Sequence, residues 1–121
     1  MKRFKNILFV VEPYSQNNAS LERATALAES NQADLTIVDI VPEITAGIGL
    51  PPGGPISLEL QDSMQREYRE RLKTMLAPYA SRPNIKTDVL TGTAFLEIIR
   101  AVLREGYDLV MKPVEDPSWL E

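Results

Sequence analysis

Lys5-Asn6-Ile7-Leu8-Phe9-Val10-Val11-Glu12-Pro13 is the stretch from which the rest of the chain can be read. Ile7 to Val11 run without polar alternation. Such a run predicts a strand buried on both faces, as in a parallel sheet, and Glu12-Pro13 stops it. Parallel strands need a crossover, and the next residues supply one. After the polar stretch Ser15 to Ala19, Ser20 is placed to cap a helix, and Leu21, Ala24, Leu27 and Ala28 share one of its faces. Leu35 to Val41 predicts the second strand, ended by Pro42.

Further along, Gly47, Gly49, Pro51, Pro52, Gly53, Gly54 and Pro55 forbid regular structure and predict a loop. Ser57 is the expected cap of a second helix. Leu60, Met64, Tyr68, Leu72 and Leu76 form its apolar face, and Arg66, Glu67, Arg69, Glu70, Arg71 and Lys73 its solvated one. Glu67 and Arg71 are spaced as an i,i+4 pair. Pro78 ends or kinks this helix. Ile85, Thr87 and Val89 alternate with Lys86, Asp88 and Leu90, which predicts a third strand at a sheet edge. Gly92 marks a turn. Phe95, Leu96, Ile98, Ile99, Val102 and Leu103 make a broad apolar face on a third helix, with Gly106 as its C-terminal cap. Tyr107 to Met111 is the fourth strand. The order β-α-β-α-β-α-β predicts a three-layer α/β fold with helices on both faces of an open parallel sheet.

Composition narrows the chemistry. The 121 residues suit one domain, and 44% of them are apolar. There is no cysteine and no histidine, so disulfides, thiolate zinc sites and a Ser-His-Asp triad are excluded. Catalysis would rest on carboxylates, Lys, Ser/Thr or Tyr. The formal net charge is −4 with both signs interspersed, which gives no electrostatic footprint for nucleic acid or an anionic membrane. Lys2-Arg3-Phe4-Lys5 reads as a solubilising start to the first strand. No apolar run approaches membrane-spanning length, and none has the form of a signal peptide. The expected location is the cytoplasm.

Four segments together resemble the universal stress protein family. They are Lys5 to Glu12; Leu21 to Asp39 with its Ala33-Asp34-Leu35; Leu90-Thr91-Gly92 followed by Ile98-Ile99; and Tyr107 to Met111. The resemblance implies strand order 3-2-1-4-5, with this chain supplying 3-2-1-4. It also implies dimerisation, and in many members adenine-nucleotide binding at the strand ends. On that reading Glu12 and Pro13 would lie by the base, Val38 and Asp39 would line it with backbone, and Met111 and Lys112 would lead to the phosphates.

The family's phosphate loop, Gly-x2-Gly-x9-Gly-Ser/Thr, has no counterpart here. The chain reads Lys112-Pro113-Val114-Glu115-Asp116, and no glycine follows Tyr107. Glycines let backbone N–H groups cradle phosphate, Pro113 removes a donor, and Glu115 and Asp116 would repel a triphosphate. Lys112 itself resembles the tandem-domain branch of the family. The loop at Gly47 to Pro55 is not followed by Gly-Lys-Ser/Thr, so it is no Walker A loop.

The expected division is a domain over residues 1–114 and a tail over 115–121. The expected role is non-enzymatic, in stress response or regulation, through a homodimer or another protein partner, with no cofactor. Leu109, Met111, Trp119 and Leu120 are the expected contacts, because an unpaired fourth strand and an exposed Trp-Leu pair invite another chain. The alternative is an ATP- or AMP-binding module, for which Glu12, Tyr14, Asp39, Lys112 and Glu115 would gather where strand order reverses. A flavodoxin-like carrier fits the bare architecture, but no Ser/Thr-rich flavin phosphate loop follows the first strand.

Overall fold

The structure is a computed structural model that describes residues 3–11, 19–43 and 55–112. The elements are β1 (Asn6–Val10), α1 (Ala19–Asn31), β2 (Asp34–Val41), α2 (Pro55–Met75), a 3-10 turn (Ala77–Tyr79), β3 (Ile85–Thr91), α3 (Ala94–Glu105) and β4 (Leu109–Met111). All four strands are parallel, in the order β3-β2-β1-β4. Ile7 stands between Leu35 of β2 and Leu109 of β4.

Alternation along the strands sends side chains to two faces, and both are covered. On one face Ile7, Phe9, Leu35, Ile37 and Val89 pack with Leu21, Ala24 and Ala28 of α1 and with Leu72 of α2. On the other, Leu8, Val10 and Val38 meet Ala101 of α3. This division follows from right-handed crossovers. The chain moves one way from β1 to β3, then returns past β1 to β4, so α3 must lie opposite α1 and α2. Ile7, Leu8, Leu35 and Ile37 are wholly buried, and each such side chain contributes about 1.5–3 kcal/mol of hydrophobic free energy.

Several polar groups close the ends. Asn31 at the end of α1 accepts the N–H groups of Arg3 and Phe4 at 2.8 and 3.1 Å. Asp108 accepts those of Lys5 and Asn6 at 2.9 and 3.2 Å, which ties the start of β4 to the start of β1. Gly106 ends α3 in the left-handed conformation at φ 70°, its N–H donating to Val102, as its position in the sequence predicts.

Other expectations change. α1 begins at Ala19 and α2 at Pro55, so Ser20 and Ser57 lie inside their first turns rather than at the caps. Proline suits a first helical position because it has no N–H to leave unpaired. Tyr107 precedes β4 instead of beginning it. Met64, Tyr68 and Leu72 pack inward from α2, as does Leu76 just beyond its end, but Leu60 is exposed. Tyr68, Tyr79 and Tyr107 pack against the two cores.

Candidate functional site

In an open parallel sheet the crevice lies beyond the carboxyl ends of the strands where their order reverses, here between β1 and β4. Val11 extends β1 by one residue, donating its N–H to Val38 at 2.9 Å. Met111 stands opposite Phe9 at the end of β4, and Lys112 follows it, exposed. Glu12, Pro13, Tyr14, Glu115, Trp119 and Leu120 lie outside the described residues.

Side-chain alternation separates the remaining candidates. Val38 packs on the α3 face and Met111 against the α1–α2 face. The sheet therefore brings them to one end while aiming them apart. The Val38 carbonyl is taken by Val11. Because Val38 turns its backbone toward β1, Ile40 does so too, two residues further on. The Ile40 carbonyl therefore points beyond Val11, into the crevice. Strand periodicity alone does not show this, since the deciding fact is which neighbour Val38 bonds.

The Asp39 side chain turns the other way, under α2. It is buried at 1% exposure. Its Oδ1 accepts the Ile40 N–H at 3.0 Å, and its Oδ2 stands 3.6 Å from Nη2 of Arg71. That is a charge pair at a distance too long for a hydrogen bond, and Nη2 has no hydrogen-bond partner among the described residues. The guanidinium also lies 4.4 Å from the centre of the Tyr68 ring. Arg71, expected on the solvated face beside Glu67, instead reaches inward. An arginine can bury its stem and keep part of its head wet, and a buried carboxylate supplies the attraction. Burial pushes the Asp39 carboxyl above its ordinary value, with the Arg71 charge and the Ile40 N–H pulling against it. Asp39 is thus held internally, away from any ligand in the crevice. Among the described residues no group of three or more His, Cys, Asp or Glu could hold a metal, and no helix is long and apolar enough to cross a membrane.

The exposed apolar surface lies elsewhere. Leu109 and Met111 of β4 are half-buried against the α1–α2 core, whereas Val110 is exposed on the α3 side. On α3, Ala101 is buried and Ile98 half-buried, but Phe95 is 70% and Leu103 81% exposed, and Leu96 and Ile99 are exposed too. The expected broad apolar face is therefore only partly covered. Arg104 lines a groove toward β3. Phe95, Ile99 and Val102 lie on the opposite flank of the helix, toward β4.

The profile of the universal stress protein family matches residues 3–120. The chain belongs to the universal stress protein family. It is 24% identical over 108 residues to universal stress protein A homolog 1 of Coxiella burnetii, covering 89% of this chain and 74% of that one. Among solved structures it resembles the universal stress protein UspA from Lactobacillus plantarum, with a TM-score of 0.71 and 25% identity over 91% of this chain and 77% of that one. It also shares the fold of a universal stress protein solved in complex with cAMP, with a TM-score of 0.52 and 14% identity over 88% of this chain and 74% of that one. Within this universal stress protein domain, the strand order 3-2-1-4 is the one that the resemblance implies.

Proposed function

We propose that this universal stress protein domain is a non-enzymatic regulatory module that works by self-association on its β4 side. The observation that carries it is the exposed apolar surface there. Val110 is exposed on the face of the sheet that α3 covers, Phe95, Ile99 and Leu103 of α3 are exposed too, and β4 is bonded on one side only among the described residues. A strand edge offers unpaired backbone groups to a second strand, and a large exposed apolar patch favours a partner. Leu109 and Met111 would support this surface from beneath, and Trp119 and Leu120 would add to it. Sedimentation of the full chain at micromolar concentration is the test. We expect self-association that Leu103→Glu weakens without loss of fold; a clean monomer would overturn the proposal.

A second reading is an adenine-nucleotide module with a degraded phosphate grip. Its support is the Ile40 carbonyl facing the crevice, together with Lys112 at the end of β4. Glu12, Pro13, Val38, Asp39, Met111 and Lys112 would then surround the ligand, Asp39 through its backbone. Cyclic AMP is a ligand of the related protein named above, and it motivates a titration here. Calorimetry with ATP and AMP separates the readings: AMP binding would favour the second, and tight magnesium-dependent ATP binding would contradict the argument from the missing glycines.

A further inference from the structure

β3 is the other edge of the sheet. Among the described residues it pairs only with β2, and Lys86, Thr87 and Asp88 along it are all exposed. Two backbone hydrogen bonds settle which groups face outward. Leu35 donates to the Asn84 carbonyl, and Gly92 donates to the Val41 carbonyl. Even-numbered residues of β3 therefore turn their backbone to β2, and odd-numbered ones turn it to solvent. The Val89 N–H accordingly falls back on its own neighbour, the Asp88 carboxylate, at 2.9 Å. The Ile85 N–H is held by Arg82. The Thr87 N–H and carbonyl have no partner among the described residues.

We infer that this edge is a second self-association surface, on which two copies pair their β3 strands antiparallel about a two-fold axis at Thr87. In that register each Thr87 N–H meets the other Thr87 carbonyl. Each Val89 N–H exchanges Asp88 for the Ile85 carbonyl of the other copy, which releases the Asp88 carboxylate. Residues 86 and 88 then face each other as a non-hydrogen-bonded pair, the kind whose side chains come closest. Lys86 meets Asp88 twice, once on each side of the axis. Neither residue forms an ion pair with another described residue. Both line an open groove of about 530 Å³ between β3 and α3, so no described element of the same copy covers them.

The charges select the register. Shifting the axis by one residue sets Lys86 against Lys86 or Asp88 against Asp88. Shifting it two residues toward Val89 sets Asp88 against Leu90. Charged residues commonly guard a sheet edge against pairing. Here they repel in neighbouring registers and attract in one. This surface lies across the sheet from the β4 side and stands or falls independently of it.

The test is sedimentation velocity on the full chain carrying Leu103→Glu, so that β4-side association does not contribute. We expect concentration-dependent dimers that weaken with added salt. Lys86→Asp and Asp88→Lys should each weaken the dimer about tenfold or more, since both charge pairs turn repulsive. An equimolar mixture of the two should recover affinity to within about threefold, because unlike charges face each other again. Thr87→Pro should abolish the dimer while circular dichroism stays unchanged, because that N–H makes no bond to β2 and edge strands tolerate proline. A monomer at all concentrations, a dimer indifferent to Lys86→Asp, or a mixture no tighter than its parts would each overturn the inference and leave a guarded edge only.

Discussion

Arg71 of α2 reaches through the layer to Asp39 of β2, its guanidinium resting over Tyr68. The pair joins a half-exposed cation to a buried anion. Removing the cation leaves a carboxylate desolvated without a charge partner. Arg71→Met should therefore destabilise the fold by about 1–3 kcal/mol. Adding Asp39→Asn to Arg71→Met should recover most of that, since buried pairs are often replaceable by neutral groups. Urea denaturation of the four proteins in this cycle measures both terms, and an Arg71→Met loss below about 0.5 kcal/mol would show the pair to be idle.

The same carboxylate sets a pH signature. Its folded value lies above the ordinary one, so the folded state holds this proton more tightly than the unfolded chain. By linkage, this group's contribution is most favourable below the unfolded value and declines as pH rises through the folded one. Asp39→Asn removes the effect and can still accept the Ile40 N–H. Relative to Asp39→Asn, the natural protein should lose stability as pH rises from about 4 through the folded value. Denaturation midpoints across that range check the sign, and a constant difference would count against it.

Asp108 holds β1 and β4 together by accepting two N–H groups. β4 has only three residues, so this clamp matters to its docking. The bonds are solvent-exposed, which limits their worth. Asp108→Ala should cost about 1 kcal/mol, and Asp108→Asn less. Hydrogen exchange of the Asn6 and Lys5 amides should report the loss locally, while the β2–β3 amides stay protected.

Two glycines should differ in tolerance. At Gly106 an added methyl meets nothing within 4 Å. Only the left-handed backbone resists, so Gly106→Ala should cost about 1 kcal/mol. At Gly92, φ is 144° and a Cβ would stand 3.0 Å from Glu97 side-chain atoms. That backbone region belongs nearly to glycine alone. Gly92→Ala should therefore be the more damaging of the two in thermal unfolding.

The candidate site was legible in outline only. Strand ends and the switch point follow from element order, which placed Val38, Asp39, Met111 and Lys112 at one end. Their orientation did not follow. The Val11–Val38 bond turns Ile40 toward the crevice, and Asp39 goes to Arg71. A one-dimensional pattern carries the period of a strand but not which neighbour takes each backbone group.

From the amino-acid sequence alone come the elements and their order. Ile7 to Val11 can be satisfied only by burial on both faces, and Gly106 permits the left-handed turn that ends α3. The absence of histidine and cysteine removes whole classes of chemistry before any fold is known. Tertiary structure alone decided how far each apolar face is covered. Phe95, Ile98 and Leu103 look alike in a helical pattern, but one helix can press only one stripe against a sheet, and that stripe includes Ile98. It also decided that Arg71 turns inward and that Thr87 faces solvent with its backbone. Each of these outcomes depends on which strand or helix stands alongside, and that is a property of the assembled sheet.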